Sequence, residues 1–307
     1  ILRDLKKKIG AILGHYYPTK QEIGIIREHI TAFVEEQIHT TIPIYSINKT
    51  DLLEYGFDAY VVGSDQVWRP CYSFGIENYF LDFCRGLNVK RVAYAASFGV
   101  DNWEFTPEQT KVCAELLKLF DGVSVREESA INLCEKYFKI KPSRVLDPTL
   151  LLEKKEWDRL IENSKFKENN KYVLTYFLGE MSSKLKKYIT CYARKNELKI
   201  IHLNRMSTQY YSAGPVEFVD MIKNAHMIFT DSFHACCFSI IYEKPFWVVS
   251  RNSVKKNMNS RINTLLKNLK LETRWWNENV DVESIPGFQT AYINLNELKR
   301  NSYKFLE

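Results

Sequence analysis

Glycine and proline are scarce in this 307-residue chain, at 12 and 9, which excludes a collagen-like or low-complexity polymer. Cysteines are few and unordered: Cys71, Cys84, Cys113, Cys134, Cys191, Cys236 and Cys237 are odd in number, scattered, and form no CxxC pair. That spacing argues against a disulfide framework and a thiolate zinc site, and free thiols fit a reducing cytoplasm. A long hydrophobic run is missing too. The most apolar stretch, AHMIFTDSFHACCFSIIYEKPFWVV, is broken by Asp231, His234, Glu243 and Lys244, so no run of roughly 18 uncharged apolar residues is available to span a bilayer. Nor does charge of one sign accumulate. Lysine and arginine number 43 against 37 aspartates and glutamates, a net +6 spread along the chain, which favours anionic substrates only slightly. Nucleic acid is not expected as a partner, because no helix-turn-helix, zinc-finger or RNP-like pattern occurs. No His, Asp and Glu cluster at ligand spacing suggests a metal. The opening residues ILRDLKKKIGAILG contain neither a methionine start nor a signal-peptide cleavage site, so the expectation is that a front segment has been lost.

What the chain does contain is apolar residues at 45% and aromatics at 14%, enough to bury a large core in two domains. From residue 58 onward, short β-rich runs alternate with helical patterns, the signature of βαβ units around parallel sheets and hence of an α/β fold. DAYVVG (58–63), RVAYAASF (91–98), GVSV (122–125) and SRVLD (143–147) read as strands, with helices over 107–120 and 128–138. A polar segment, KEWDRLIENSKFKENNK (155–171), separates these from a second set. There the strands are 171–179, 198–204, 226–230 and 245–250, and the helices 181–195, 215–225 and 232–243. The expected organisation is two doubly wound, Rossmann-like domains, 1–155 and 156–307, the second ending in closing helices. Residues 1–57 read as mostly helical. Ligands of open α/β sheets bind outside the carboxyl ends of strands, so two such domains would face one cleft with those ends.

The residues just after strands therefore carry the functional argument. TDSFHACCFSI (230–240) turns from strand to helix with Asp231 or Ser232 as cap, which puts His234 in the first helical turn. Unpaired N–H groups and the positive helix end would hold an anion there, with the imidazole beside it as acid or base. A histidine hydrogen-bonded to a carbonyl at a helix start is an equally good reading. In VVGSDQVWRP (61–70), Gly63 allows close backbone approach, and Ser64, Asp65 and Gln66 could bind hydroxyls or phosphate. A capped turn explains the same residues. Arg126, between a strand and a helix, could grip phosphate or carboxylate with two parallel hydrogen bonds, or pair with Glu127 or Glu128. SFG (97–99), with Ser97, and LDPT (146–149) complete the strand ends of the first half. Arg251, Lys255, Lys256 and Arg261 follow the last strand as a cation cluster or a solvated basic loop, with Arg261 either a phosphate ligand or an exposed partner for a carboxylate. Trp275 and Trp276 suit a sugar platform or a core.

Taken in order, GSDQVW, YFLDF, YAASFG, SVREESA, VLDPTLLL, GPVEF, NAHMIFTDSFHACCFSI and NSRINTLL, between about 58 and 270, resemble the polysaccharide pyruvyl transferases. The resemblance implies a fold similar to the two-domain GT-B glycosyltransferases. It implies transfer of a pyruvyl group from phosphoenolpyruvate to two hydroxyls of a sugar as a cyclic ketal, in cell-surface or capsular polysaccharide synthesis. The acceptor would be a sugar or a lipid-linked oligosaccharide, the latter at the inner membrane surface, and no cofactor is required. By position, His234 matches the family's catalytic histidine and Arg126 an arginine implicated in donor binding. Many members carry an arginine two residues before the histidine; here that residue is Ser232, so Arg251 or Arg261 is expected to supply the missing cation. The family's usual opening strand, Asn- and Gly-containing loop and helix are not recognisable. A GT-B nucleotide-sugar glycosyltransferase, with a diphosphate at Ser232, and a noncatalytic glycan-binding subunit remain the alternatives.

Overall fold

In the computed structural model, residues 19–42, 54–205, 208–251, 259–284 and 287–307 are described. Over these residues the chain is mixed α/β, with two four-stranded parallel sheets. The first contains β1 (Ala59–Val62), β2 (Lys90–Ala96), β3 (Gly122–Val125) and β4 (Ser143–Arg144), in that spatial order. The second contains β5 (Tyr172–Tyr176), β6 (Lys199–His202), β7 (Met227–Thr230) and β8 (Phe246–Val248), in the order β6-β5-β7-β8. Strand order reverses between β5 and β7, which opens a crevice at their carboxyl ends. The reversal expected for the first sheet is absent among its described strands; residues 1–18 and 43–53, which precede β1, lie outside the description.

Several helices begin where the sequence supplies caps. α1 (Lys20–Gln37) starts on a reciprocal Thr19–Glu22 capping box, and α2 (Pro107–Leu117) combines a Thr106–Gln109 box with Pro107 in its first turn. α3 (Glu128–Leu133) continues as a wider turn to Phe138, and α4 (Lys154–Ile161) opens the polar segment between the sheets. α5 (Ser183–Lys195) is capped by Ser182, α6 (Pro215–Asn224) begins at Gly214–Pro215, and α7 (Phe233–Ile241) is capped by Ser232. α8 (Ser260–Leu269) and α9 (Gln289–Leu306) complete the chain. Among the described residues no helix is long and apolar enough to cross a membrane.

The two sheets share their largest apolar cluster. Tyr94, Val145 and Leu146 of the first half pack with Leu174, Ile228 and Phe246 of the second and with Leu295 of α9. α9 returns to the first sheet: Leu146 N donates to Ser302 Oγ (2.9 Å) and Tyr303 OH to the Leu151 carbonyl (2.9 Å). α8 also crosses, with Glu128 N donating to Thr264 Oγ1 (3.4 Å). Trp275 and Trp276 continue the β8 edge, where Trp276 N donates to the Val248 carbonyl (2.8 Å), and both pack against apolar cores.

A bulge in β2 shapes the first strand end. Register shifts between Ala93 and Ala96, Ala95 takes φ +52°, and Ser124 Oγ bridges the gap by donating to the Ala93 carbonyl and accepting from Ala95 N. The Tyr94 carbonyl then stands against Gly63, whose φ is +129°; a Cβ there would lie 1.9 Å from Tyr94 O. Gly63→Ala is expected to cost about 3 kcal/mol or more in thermal unfolding. Gly56→Ala, at φ +61° with no atom within 4 Å, should cost only about 1 kcal/mol. Equal costs would contradict the role of close approach at Gly63.

Candidate active site

Four segments that follow strands, 63–66, 126–127, 145–149 and 231–234, meet at one place, and α8 brings Arg261 to it. Its centre is Arg126, whose side chain is 1% exposed. Nη1 donates to Asp147 Oδ2 at 2.5 Å and Nη2 to Asp65 Oδ1 at 2.6 Å, while Nε lies 3.7 Å from Glu127 Oε2. A buried cation must be compensated on all sides. Burial opposes the charged guanidinium, but Asp147, Glu127 and Asp65 outweigh it and hold its pKa above the ordinary value. The ring of Phe233 completes the shell, with the guanidinium carbons of Arg126 and Arg261 at 4.6 and 5.9 Å from its centroid.

Asp147 is equally buried. It accepts hydrogen bonds from Ser64 Oγ (2.9 Å), Arg126, Thr149 N (3.1 Å) and Thr149 Oγ1 (2.8 Å). Burial resists its ionisation, yet the neighbouring His234 and Arg126 dominate and hold its carboxyl far below the usual range. Glu127 behaves oppositely: complete burial raises its pKa despite Arg126 and a hydrogen bond from Ser97 Oγ (2.7 Å).

His234 Nε2 approaches Asp147 Oδ2 at 3.8 Å, an ion-pair distance longer than a hydrogen bond, and the ring is about a third exposed. It sits in the first turn of α7 because Thr230 ends β7 and Ser232 Oγ accepts Ala235 N (3.4 Å). Asp231 anchors that turn. Its carboxylate accepts Leu178 N (2.7 Å), Gly179 N (2.9 Å) and Arg251 Nε (2.9 Å), tying the ends of β5 and β7 together across the crevice.

On the other side of His234 opens a cavity of about 530 Å³. Trp157, Tyr176, Tyr211, Phe218 and Phe238 wall it, with Ser232, Thr149 and Asn204 as polar points, and α1 contributes Ile30 and Phe33. Also on α1, His29 Nδ1 lies 3.4 Å from Glu217 Oε2 of α6.

The residues singled out in the sequence thus divide. Gly63, Ser64, Asp65, Arg126, Arg261 and His234 converge; Ser232 caps α7 and lines the cavity. Gln66 turns to Arg69 (2.9 Å), Ser97 is fully buried on Glu127, and Arg251 is engaged by Asp231. Arg261 is 7% exposed, so the reading of it as a surface side chain is corrected: α8 packs that face inward, and Asp65 accepts from it at 3.2 Å. Burial and the like charge of Arg126 lower its pKa to about 10. Lys255 and Lys256 lie outside the described residues. Asp147 and the cavity aromatics carried no assigned role in the sequence; the position of Asp147 directly after a strand was the available signal. Among the described residues no group of three or more His, Cys, Asp or Glu could hold a metal ion.

The chain matches the polysaccharide pyruvyl transferase family over residues 3–253, most of its length, and belongs to that family. It is accordingly a transferase. No curated protein matches it.

Because the folded-state pKa of Asp147 lies below its unfolded value of about 3.9, its contribution to stability is complete above that value and fades as pH falls towards the folded one. Asp147→Asn should therefore lower the melting temperature at pH 7, by about 3–5 kcal/mol of stability, and flatten its decline between about pH 5 and 3. An unchanged acid slope would contradict an ionised Asp147.

Proposed function

We propose that the protein transfers a pyruvyl group from phosphoenolpyruvate to two hydroxyls of a sugar, closing a cyclic ketal. The observation that carries this reading is the position of His234 between two unlike environments: a buried pair of guanidiniums behind Asp65 and Asp147, and a large aromatic-walled cavity. An anionic donor suits the first. A sugar ring suits the second, where aromatic faces cover its apolar patches and Thr149, Ser232 and Asn204 can meet hydroxyls. We read the two sheets as Rossmann-like units of the GT-B kind, 1–155 and 156–307, with the site in the cleft between them. A lipid-linked acceptor would bring the protein to the inner surface of the cytoplasmic membrane.

The chemistry requires one proton on the methylene carbon of the enol, attack of one hydroxyl on the adjoining carbon, and loss of phosphate as a second hydroxyl attacks. The two hydroxyls release two protons; one ends in the new methyl group and the other on phosphate. His234 is the group placed to move them, as the acid towards the methylene or the base towards a hydroxyl, a contribution of roughly 10² to 10⁴ in rate. Asp147 Oδ2 lies 3.8 Å from His234 Nε2 and places a carboxylate beside the ring through the proton transfers. Arg126 and Arg261 neutralise the donor and the departing phosphate. No step calls for a redox cofactor.

With phosphoenolpyruvate and a panel of sugar acceptors, the protein should release phosphate and produce an acceptor heavier by pyruvate less water, detected by mass spectrometry. Stabilisation by a uridine or guanosine diphosphate, with none by phosphoenolpyruvate, would favour a glycosyltransferase instead. His234→Gln should bind donor normally and lose roughly 10² to 10⁴ in turnover; a wild-type rate would remove His234 from the mechanism. Trp157→Ala should raise the acceptor KM about tenfold with donor affinity unchanged, and an effect on donor alone would reverse the assignment of the two sides.

A further inference from the structure

We propose that Asp65 is a built-in, displaceable counter-ion, whose carboxylate occupies the seat between Arg126 and Arg261 and must be exchanged for the anionic group of an incoming substrate. The inference rests on the reading of these arginines as the donor's anion seat. One oxygen, Oδ1, accepts from Arg126 Nη2 at 2.6 Å and from Arg261 Nη1 at 3.2 Å. The three carboxylates around Arg126 are not equivalent. Asp147 and Glu127 have side chains 1% exposed and are fixed in the core, whereas the Asp65 side chain is 55% exposed. Asp65 is the one that can turn into water without unpacking anything.

Its departure would leave two buried guanidiniums, 1% and 8% exposed, without their shared anion, a state that calls for a replacement. Donor capacity is left over as well: Nε of Arg261 is buried and makes no hydrogen bond, and Nε of Arg126 has only its 3.7 Å ion pair with Glu127. A tetrahedral phosphate offers more acceptor oxygens than the single one Asp65 now presents. On the far side of the two arginines, the space lined by Leu146 and Leu265 has a volume of only about 20 Å³, and the approach offered to an anion is the exposed side that Asp65 covers. Asp65 and a phosphate cannot share the seat, because like charges at that separation repel. Apparent anion affinity is then the intrinsic affinity reduced by the fraction of time the seat is vacant.

Asp65→Asn keeps the shape and removes the charge. Calorimetric titration with inorganic phosphate should give binding about tenfold tighter in this variant than in the wild type, and the anion-free variant should melt below the wild type. Asp65→Ser, which leaves the seat open, should behave alike and serves if the Asn variant fails to fold. Equal or weaker phosphate binding in the variants would overturn the proposal. Phosphoenolpyruvate, titrated in parallel, separates this idea from the reading beneath it. Tighter phosphate with no phosphoenolpyruvate binding by either protein would uphold the counter-ion and refute the donor. Phosphoenolpyruvate bound equally by both proteins would refute the counter-ion and leave the donor standing.

Discussion

A guanidinium sealed from water sets the terms for the rest of the site. Arg126 cannot be buried in this fold unless anions reach it from several directions, and they come from separate parts of the chain: Asp65 after β1, Glu127 from its own strand end, and Asp147 after β4. That demand fixes how closely the ends of the first sheet gather. It explains the turn at Gly63, which lets the backbone pass against the bulged Tyr94 and deliver Ser64 and Asp65 to the cluster. It also reaches into the second half, because Arg261 of α8 and Phe233 of α7 close the same shell. The two sheets are therefore joined by electrostatics as well as by their shared apolar cluster.

Catalysis, on this account, draws on the same charges. Asp147 is held ionised by neighbours that include His234 and Arg126, so a single buried carboxylate connects the imidazole to the cation cluster. The imidazole in turn faces the aromatic cavity. Membership of the polysaccharide pyruvyl transferase family agrees with an arrangement in which anion chemistry and sugar recognition adjoin one proton-transfer group.

Much of this could be read from the sequence, because strand ends announce themselves. Each of the eight described strands overlaps a β-rich run identified in the chain, and Ser232 and His234 stand where a strand-to-helix turn places them. What escaped was whatever depends on packing between distant segments. Arg261 looks like a surface residue on α8 until α8 is laid across the first half. The LDPT turn gives no hint that Asp147 touches both Arg126 and His234, since those contacts span 21 and 87 positions of sequence. The cavity gathers Phe33, Trp157, Tyr176, Tyr211 and Phe238 from five separate elements or loops, a set that no local pattern defines.

The central claim is that donor and acceptor lie on opposite sides of His234. A crystal structure with phosphoenolpyruvate bound tests it most directly. The account predicts the phosphate within hydrogen-bond reach of Arg126 and Arg261, Asp65 turned outward, and the methylene carbon towards His234. Phosphoenolpyruvate seated in the aromatic cavity, with Asp65 still bridging the two arginines, would contradict it.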